Sequence, residues 1–339
     1  MPKLPNNFPF DKDDLVYKTE KYETNGEWGY YPTERPINKH LEFAVINLDK
    51  PPNLTSHEVS AYISKLLSIK KVAHGGTLDP GVSGVLPIAL QRATPLTRIL
   101  LKSTKEYIVV MRLHKKVNYD KIIDVVSSFK GKIYQRPPIR SAVTRKTRIR
   151  IIYDIEVLEV ENRDVLLRVF CEAGTYMRKL CTDIGDILGV GAHMIDLRRT
   201  KSGVFYEDDT LCTMQDLIDA WVLYKEENDE SLLRRYILPA EVTIMNMPRI
   251  IVNDGAVGAL THGAQLYVPG IVAFSPSIKK GDLIAILTIK GELIALGRSI
   301  MTSEQIKSAD KGQVTDDTRV LMPRDLYPPI WKKSIKNDL

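Results

Sequence analysis

Cysteine is scarce and scattered in this chain: Cys171, Cys181 and Cys212 are the three in 339 residues, with no C-x-x-C among them. An odd, widely spaced set argues against a disulfide framework and a structural zinc site, and points to a reducing, cytoplasmic setting. The three thiols are expected to be small buried hydrophobes. No apolar run approaches ~18 residues, so no membrane-spanning helix is expected. The first ten residues carry prolines and asparagines where a secretory leader needs an apolar stretch. No G-x-G-x-x-G and no internal repeat occurs, and His40, His114, His193 and His262 have no metal-ligand spacing. Acid is missing locally as well. Between Lys132 and Arg150 stand seven Lys or Arg and no Asp or Glu; the whole chain carries +6, so the remainder sums to −1. A basic strip this concentrated is the footprint expected where phosphates are neutralised.

The length exceeds one typical core, so two domains and an appended segment are expected. Residues 1–40 mix Pro, Asn, Tyr and charge without period and read as an extension that wraps another surface or stays mobile. Residues 41–245 read as a first domain. Phe43–Leu48 is strand-like, and Thr55 with Glu58 forms a capping box before Val59, Tyr62, Ile63, Leu66 and Leu67 at helical spacing. A glycine-rich loop runs from His74 to Pro87. Lys105–Leu113 and Val165–Cys171 alternate as strands, and Tyr119–Phe129 is helical with Gly131 closing it. A further helix is expected from a Thr175 cap to Gly189, facing the core with Leu180, Cys181, Ile184, Ile187 and Leu188. Thr213 and Asp216 cap another, with Leu217, Ile218, Trp221 and Val222 inside. Strands and helices interleave without a repeating βαβ unit. The class is therefore α+β with a mixed, largely antiparallel sheet flanked by helices. Residues 248–331 change texture. Two apolar strands flank a Lys290-Gly291 turn, and Gly255, Gly263, Gly270 and Gly281 punctuate the surroundings, as in a small β pseudo-barrel.

The string His74-Gly-Gly-Thr-Leu-Asp-Pro80 surrounds one carboxylate with two glycines and a proline. Such a loop presents an aspartate on a stiff frame, or caps a backbone amide with it; alone it leaves both readings open. Taken with three more strings, Lys105-Glu-Tyr107, Gly174-Thr-Tyr-Met-Arg178 and Gly191-Ala-His-Met-Ile-Asp-Leu197-Arg-Arg-Thr-Lys-Ser-Gly203, it resembles the motif set of the TruB/dyskerin family of pseudouridine synthases, in order and spacing. The segments Thr261-His-Gly-Ala-Gln-Leu266, Val268-Pro-Gly270, Lys279-Lys-Gly-Asp282 and Gly291-Glu-Leu-Ile-Ala-Leu-Gly297 resemble a PUA domain.

The resemblance implies an RNA isomerase that detaches uracil, rotates it and rejoins it through carbon, with no cofactor and no metal. It implies Asp79 as nucleophile, and Arg178 as the guanidinium that orients the carboxylate. Attraction of roughly 4 kcal/mol before desolvation, at 4 Å and an effective dielectric of ~20, would lock its rotamer. Tyr107 is implied to stack on a flipped base and move a proton, Tyr176 and Leu197 to line a dry pocket, and His74 to fill the space that the nucleotide leaves. Asp49 reads as a strand-end turn outside the mechanism. The glycines near His262 and Gly263 would let RNA approach closely, and the PUA domain is implied to grip the ACA end of a guide.

The family's stand-alone members carry a long insertion after their S-A-hydrophobic string. Here Ser141-Ala-Val143 reaches the next strand, Ile151–Val160, through Thr144–Arg150 alone, a short basic loop with Arg145, Lys146 and Arg148. Such a loop holds phosphate but selects little sequence. The resemblance therefore implies the archaeal branch: a catalytic subunit of a box H/ACA ribonucleoprotein acting on ribosomal RNA or tRNA. Its companions would be a guide RNA, a small zinc-ribbon protein, a β-barrel protein and a kink-turn-binding ribosomal-type protein. Two other readings stay open, a guide-independent enzyme for the TΨC arm of tRNA and a non-catalytic RNA scaffold.

Overall fold

The computed structural model describes residues 8, 14–19, 22–136 and 146–328; Arg145 and the Ser141-Ala-Val143 string lie outside them. Residues 45–238 form one compact unit. Its strands are β1 (Phe43–Lys50), β2 (Ser83–Gln91), β3 (Lys105–Leu113), β4 (Gly131–Gln135), β5 (Arg148–Glu161), β6 (Asp164–Cys171) and β7 (Ala192–Ser202). Together with short pieces they make an eleven-stranded sheet in the order Leu211–Cys212, β1, β2, β7, β3, β6, β5, β4. The pairings of β1 with Leu211–Cys212 and of β2 with β7 are parallel, while β7/β3, β3/β6, β6/β5 and β5/β4 are antiparallel. The sheet is mixed and largely antiparallel, as the irregular interleaving of elements implied.

Alternation explains the central strands. Val109, Met111 and Leu113 of β3 and Val165, Leu167, Val169 and Cys171 of β6 are all buried, and each such side chain contributes about 1.5–3 kcal/mol when fully removed from water. Helices α1 (Ser56–Leu66), α2 (Tyr119–Ser128), α3 (Met177–Leu188) and α4 (Met214–Glu227) flank the sheet. Reciprocal capping boxes, Thr55 with Glu58 and Thr213 with Asp216, start α1 and α4. Gly189 ends α3 at φ +75°. All three cysteines are buried thiols.

Several expectations are corrected. The loop after His74 is shorter than the glycines suggested, because β2 begins at Ser83 and carries Gly84 and Pro87. Thr175 does not cap α3: the helix starts one residue later on an N-cap Tyr176, and the Thr175 hydroxyl donates to Glu172 O at 2.7 Å. Ile187 is 59% exposed and Val222 42% exposed, since each lies at the margin of its helix's buried face; Ile218 and Trp221 are half-buried.

The described residues of 3–44 and 239–339 form a second unit. Regular structure begins before Leu41, with the strand Val16–Tyr17 and the helix Ile37–Glu42. Strands β8 (Arg249–Val252), β9 (Ile271–Phe274), β10 (Leu283–Thr288), β11 (Leu293–Ser299) and β12 (Thr315–Val320), with helix α5 (Asp254–Thr261), follow. The sheet order is Val16–Tyr17, β9, β8, β10, β11, β12. The expected barrel is not closed: among the described residues Val16–Tyr17 pairs with β9 and β12 pairs with β11, so the path has two free ends. The N-terminal segment is tied in by polar contacts. Arg35 meets Glu241 in a buried two-pronged ion pair, at 3.0 and 2.5 Å, and Lys290 Nζ donates to Trp28 O at 2.6 Å. Among the described residues no helix is long and apolar enough to cross a membrane.

Candidate active site

Asp79 sits at the tip of the turn that joins the strand Val72–His74 to β2. Its own carbonyl accepts from Val82 N at 3.0 Å, which closes the turn. The frame around it is built from main-chain contacts. Ser56 Oγ, in the first turn of α1, accepts from Leu78 N at 2.9 Å. Pro80 O accepts from Asn53 N at 2.8 Å and from the Lys50 ammonium at 3.1 Å. Lys50 is buried, and its other donors satisfy Pro51 O and Leu54 O. Gly84 holds φ +104° where an added Cβ would stand 2.2 Å from Arg199 O. Only glycine fits that approach.

Arg178, in the first turn of α3, makes an ion pair with the Asp79 carboxylate. The two side chains are 56% and 53% exposed. At that exposure water screens the pair to a net of about 1 kcal/mol or less.

Asp79, Arg178, Tyr107, Tyr176 and Leu197 all line one cavity of about 790 Å³, within the size range of small-ligand sites. Leu197 is buried and pairs across the sheet with Val109. Tyr107 is half-buried and lies directly opposite Arg199 on the neighbouring strand β7, its hydroxyl against the guanidinium. Burial raises the Tyr107 pKa, and Arg199 opposes that rise. Tyr176 is fixed by Gln135 at the end of β4: Tyr176 N donates to Gln135 Oε1 at 2.9 Å and Gln135 Nε2 donates to Tyr176 O at 3.1 Å.

His74 is not part of the cavity wall. Its half-buried ring packs edge-on against His57 with centroids 5.1 Å apart, and burial, then His57 and Arg199, lower its pKa. Asp49 accepts both Nη atoms of Arg198 at 3.0 and 2.8 Å. Lys146 is exposed and Arg148 half-buried at the start of β5. In the second unit His262 and Gly263 are exposed just after α5. Gly263 has φ +98° and open space where a Cβ would stand. Among the described residues no three His, Cys, Asp or Glu could hold a metal ion.

Reading the sequence missed three residues that build the site. Arg199, 1% exposed, donates to Val85 O at 2.7 Å and to Gly76 O at 3.0 Å. Lys105 is buried and spends its donors on Leu100 O, Ser103 O and Ser103 Oγ at 2.8, 2.7 and 2.9 Å. The third is Gln135. Arg199 and Lys105 stand inside quoted motif strings; Gln135 carries no sequence signal.

Four family models match the chain. The TruB family pseudouridylate synthase N-terminal domain matches residues 64–177 and the tRNA pseudouridylate synthase B C-terminal domain residues 178–245. A PUA domain matches 248–321 and a DKCLD domain 6–60. The probable tRNA pseudouridine synthase B of Pyrococcus furiosus is 53% identical over 95% of each chain. The protein of that name from Methanocaldococcus jannaschii is 47% identical over 95% of this chain and 96% of its own. Among solved structures, a crystal structure of a Cbf5–Nop10–Gar1 complex matches at 54% identity and TM-score 0.88, covering 93% of this chain and 95% of that one. An H/ACA ribonucleoprotein bound to a substrate RNA containing 2'-deoxyuridine matches at 51% identity and TM-score 0.89, covering 94% and 97%.

Proposed function

Because this chain belongs to the TruB family of pseudouridylate synthases, and so is an RNA isomerase, we propose that it acts as the catalytic subunit of a box H/ACA ribonucleoprotein, converting uridine in ribosomal RNA at positions chosen by a guide RNA. The observation that carries this reading is the match, across more than nine-tenths of the chain, to proteins solved within H/ACA complexes, one of them on substrate RNA. The short basic connection 144–150 supports it, since it offers charge without the means to read a sequence. In the proposed particle a Nop10-like small zinc-ribbon protein, a Gar1-like β-barrel protein and a kink-turn-binding ribosomal-type protein accompany the chain in the cytoplasm. Lys146, Arg148 and Arg145 lie along the RNA backbone, and His262 with Gly263 meets the guide.

In the cavity, Asp79 supplies the nucleophile and forms a transient adduct with the everted uridine. The bond from C1' to N1 breaks, the uracil turns, C1' bonds to C5, C5 loses a proton and N1 gains one. Arg178 contributes orientation: a planar fork on the carboxylate aims one oxygen at the substrate, a geometry that lysine does not reproduce. Tyr107 stacks on the base; such stacking is worth about 1–3 kcal/mol, comparable with the few kcal/mol that extrusion costs. Tyr176 and Leu197 form the remaining walls, and bound RNA excludes the water that now reaches Asp79. His74 stands outside the wall, where it can support the loop or the vacated stack.

A second reading, guide-independent modification of the tRNA TΨC arm, draws on the name of the archaeal relatives. Reconstitution with and without guide separates the two. Ribosomal targets modified only when the matching guide is present support the first; full-rate modification of them without guide contradicts it.

A further inference from the structure

We propose that Arg199 is a positioning residue of the isomerisation: one buried guanidinium that fixes the nucleophile turn at both ends and stands as counter-charge to the Tyr107 oxygen while that oxygen lacks its proton. The proposal rests on the reading of Asp79 and Tyr107 given above.

Arg199 is among the largest fully buried side chains of the protein, and among the described residues it makes no ion pair with a carboxylate. A buried cation without an anion costs several kcal/mol unless other groups compensate it. Its compensation is specific. Nε donates to Val85 O at 2.7 Å and Nη2 to Gly76 O at 3.0 Å, so one side chain grips the chain three residues before and six residues after Asp79. The main chain of the same residue grips it again, because Ser83 pairs with Arg198 and Gly84 with Arg199 in parallel register. Nη1 lies beside Gly76, where an added Cβ would come within 3.5 Å of it.

The remaining neighbour is Tyr107. It is the cross-strand partner of Arg199 on β3, which puts both side chains on one face of the sheet. The Tyr107 hydroxyl feels Arg199 from β7 and Cys171 from β6; of the other charged groups on the same cavity, Arg178 is paired with Asp79 and Lys105 of its own strand spends its donors on Leu100 and Ser103 oxygens. The Cys171 thiol is pushed up by burial to about 12 and stays neutral. The Arg199 guanidinium is therefore the cation placed to stabilise a Tyr107 phenolate.

The proton count of the reaction gives such a phenolate a place. Uracil leaves N1 without a hydrogen and must end with one there, and it must lose the hydrogen on C5. A single oxygen closes the account if the Tyr107 hydroxyl lends its proton to the detached ring and, as a phenolate paired with Arg199, takes back the proton of C5. No other proton donor or acceptor is consumed.

The test uses the full chain on an RNA that it modifies, with wild type, Arg199→Lys, Arg199→Met, Tyr107→Phe and Asp79→Asn compared under single-turnover conditions over a pH series. Circular dichroism checks that each folds. For Arg199→Met we expect RNA affinity within about threefold of wild type, the rate of the chemical step down about 100-fold or more, and the rate–pH midpoint moved up by about one unit or more. Arg199→Lys should regain most of the pH midpoint, since charge returns, while recovering less of the rate, since the two-carbonyl grip does not. If Arg199→Met fails to fold, the lysine variant alone decides: a wild-type midpoint with a lowered rate supports the proposal, and a midpoint shifted as far as in the absence of charge overturns it. A folded Arg199→Met with wild-type rate, or with a lowered rate and an unmoved pH profile, also overturns it. An active Asp79→Asn would instead sink the underlying site, whatever Arg199 does.

Discussion

Gln135 and Tyr176 exchange two hydrogen bonds, at 2.9 and 3.1 Å, through the side-chain amide of one and both main-chain polar groups of the other. The contact ties the end of β4 to the residue that caps α3, two positions before Arg178. It therefore transmits the position of the strand edge to the guanidinium paired with Asp79. Gln135→Ala takes this acceptor from Tyr176 N, while Tyr176 O keeps Leu180 N at 3.0 Å, a loss of about 1–2 kcal/mol. We expect a lower melting temperature and a rate of the chemical step reduced about tenfold with RNA affinity little changed. Unfolding scans and single-turnover kinetics check both.

Gly84 and Gly81 belong to the same turn region and should respond very differently to alanine. A Cβ on Gly84 would stand 2.2 Å from Arg199 O at φ +104°, whereas one on Gly81 meets nothing within 4 Å. Gly84→Ala combines overpacking with a disfavoured backbone region and should destabilise the fold by about 2 kcal/mol or more. Gly81→Ala should stay within about 0.5 kcal/mol of wild type. Denaturant midpoints measured side by side decide it.

Lys105 should leave a signature in the dependence of stability on pH. Burial pushes its ammonium from the ordinary 10.5 down to about 7. Between those values the unfolded chain holds a proton that the folded chain has released, so stability rises with pH there and is flat below about 7. Lys105→Met removes that slope. The stability of wild type relative to Lys105→Met should climb, on the order of 1 kcal/mol per pH unit, from pH 7 towards 10. Urea unfolding of both proteins at several pH values measures the difference.

Lys146 and Arg148 lie at the start of β5, exposed and half-buried respectively. If they follow the RNA backbone, Lys146→Glu with Arg148→Glu should weaken RNA binding and lower the slope of log affinity against log salt by about 1–2, one unit or less per lost phosphate contact. Filter-binding titrations at four salt concentrations suffice. An unchanged slope would move the RNA path elsewhere.

Much of this architecture is legible residue by residue where the signal is local. Thr55 with Glu58 and Thr213 with Asp216 are three apart in sequence, and each pair forms its box. The alternation in β3 and β6 reports a buried face directly, because the period of a strand is two. The misreadings occur where a residue has more than one use for its polar atoms or stands at the edge of a face. Thr175 turns its hydroxyl back to Glu172 O, and Ile187 and Val222 face outward. The walls of the cavity came from motif resemblance, which names Asp79, Tyr107 and Arg178 but not what holds them. Arg199 and Gln135 were invisible because their partners are main-chain atoms distant in sequence, 114 residues away for Val85 and 41 for Tyr176. Main-chain partners leave no residue type to read. The open sheet of the second unit is a similar case, since one of its edges is supplied by Val16–Tyr17, far upstream.

The direct test is the release of tritium from a target RNA whose uridine is labelled at C5, followed for wild type and Asp79→Asn with everything else identical. Wild type should release the label at the target, and Asp79→Asn, which keeps the shape of the side chain while removing its charge, should release it at least about 1,000-fold more slowly. Label released by Asp79→Asn at the wild-type rate would contradict the account.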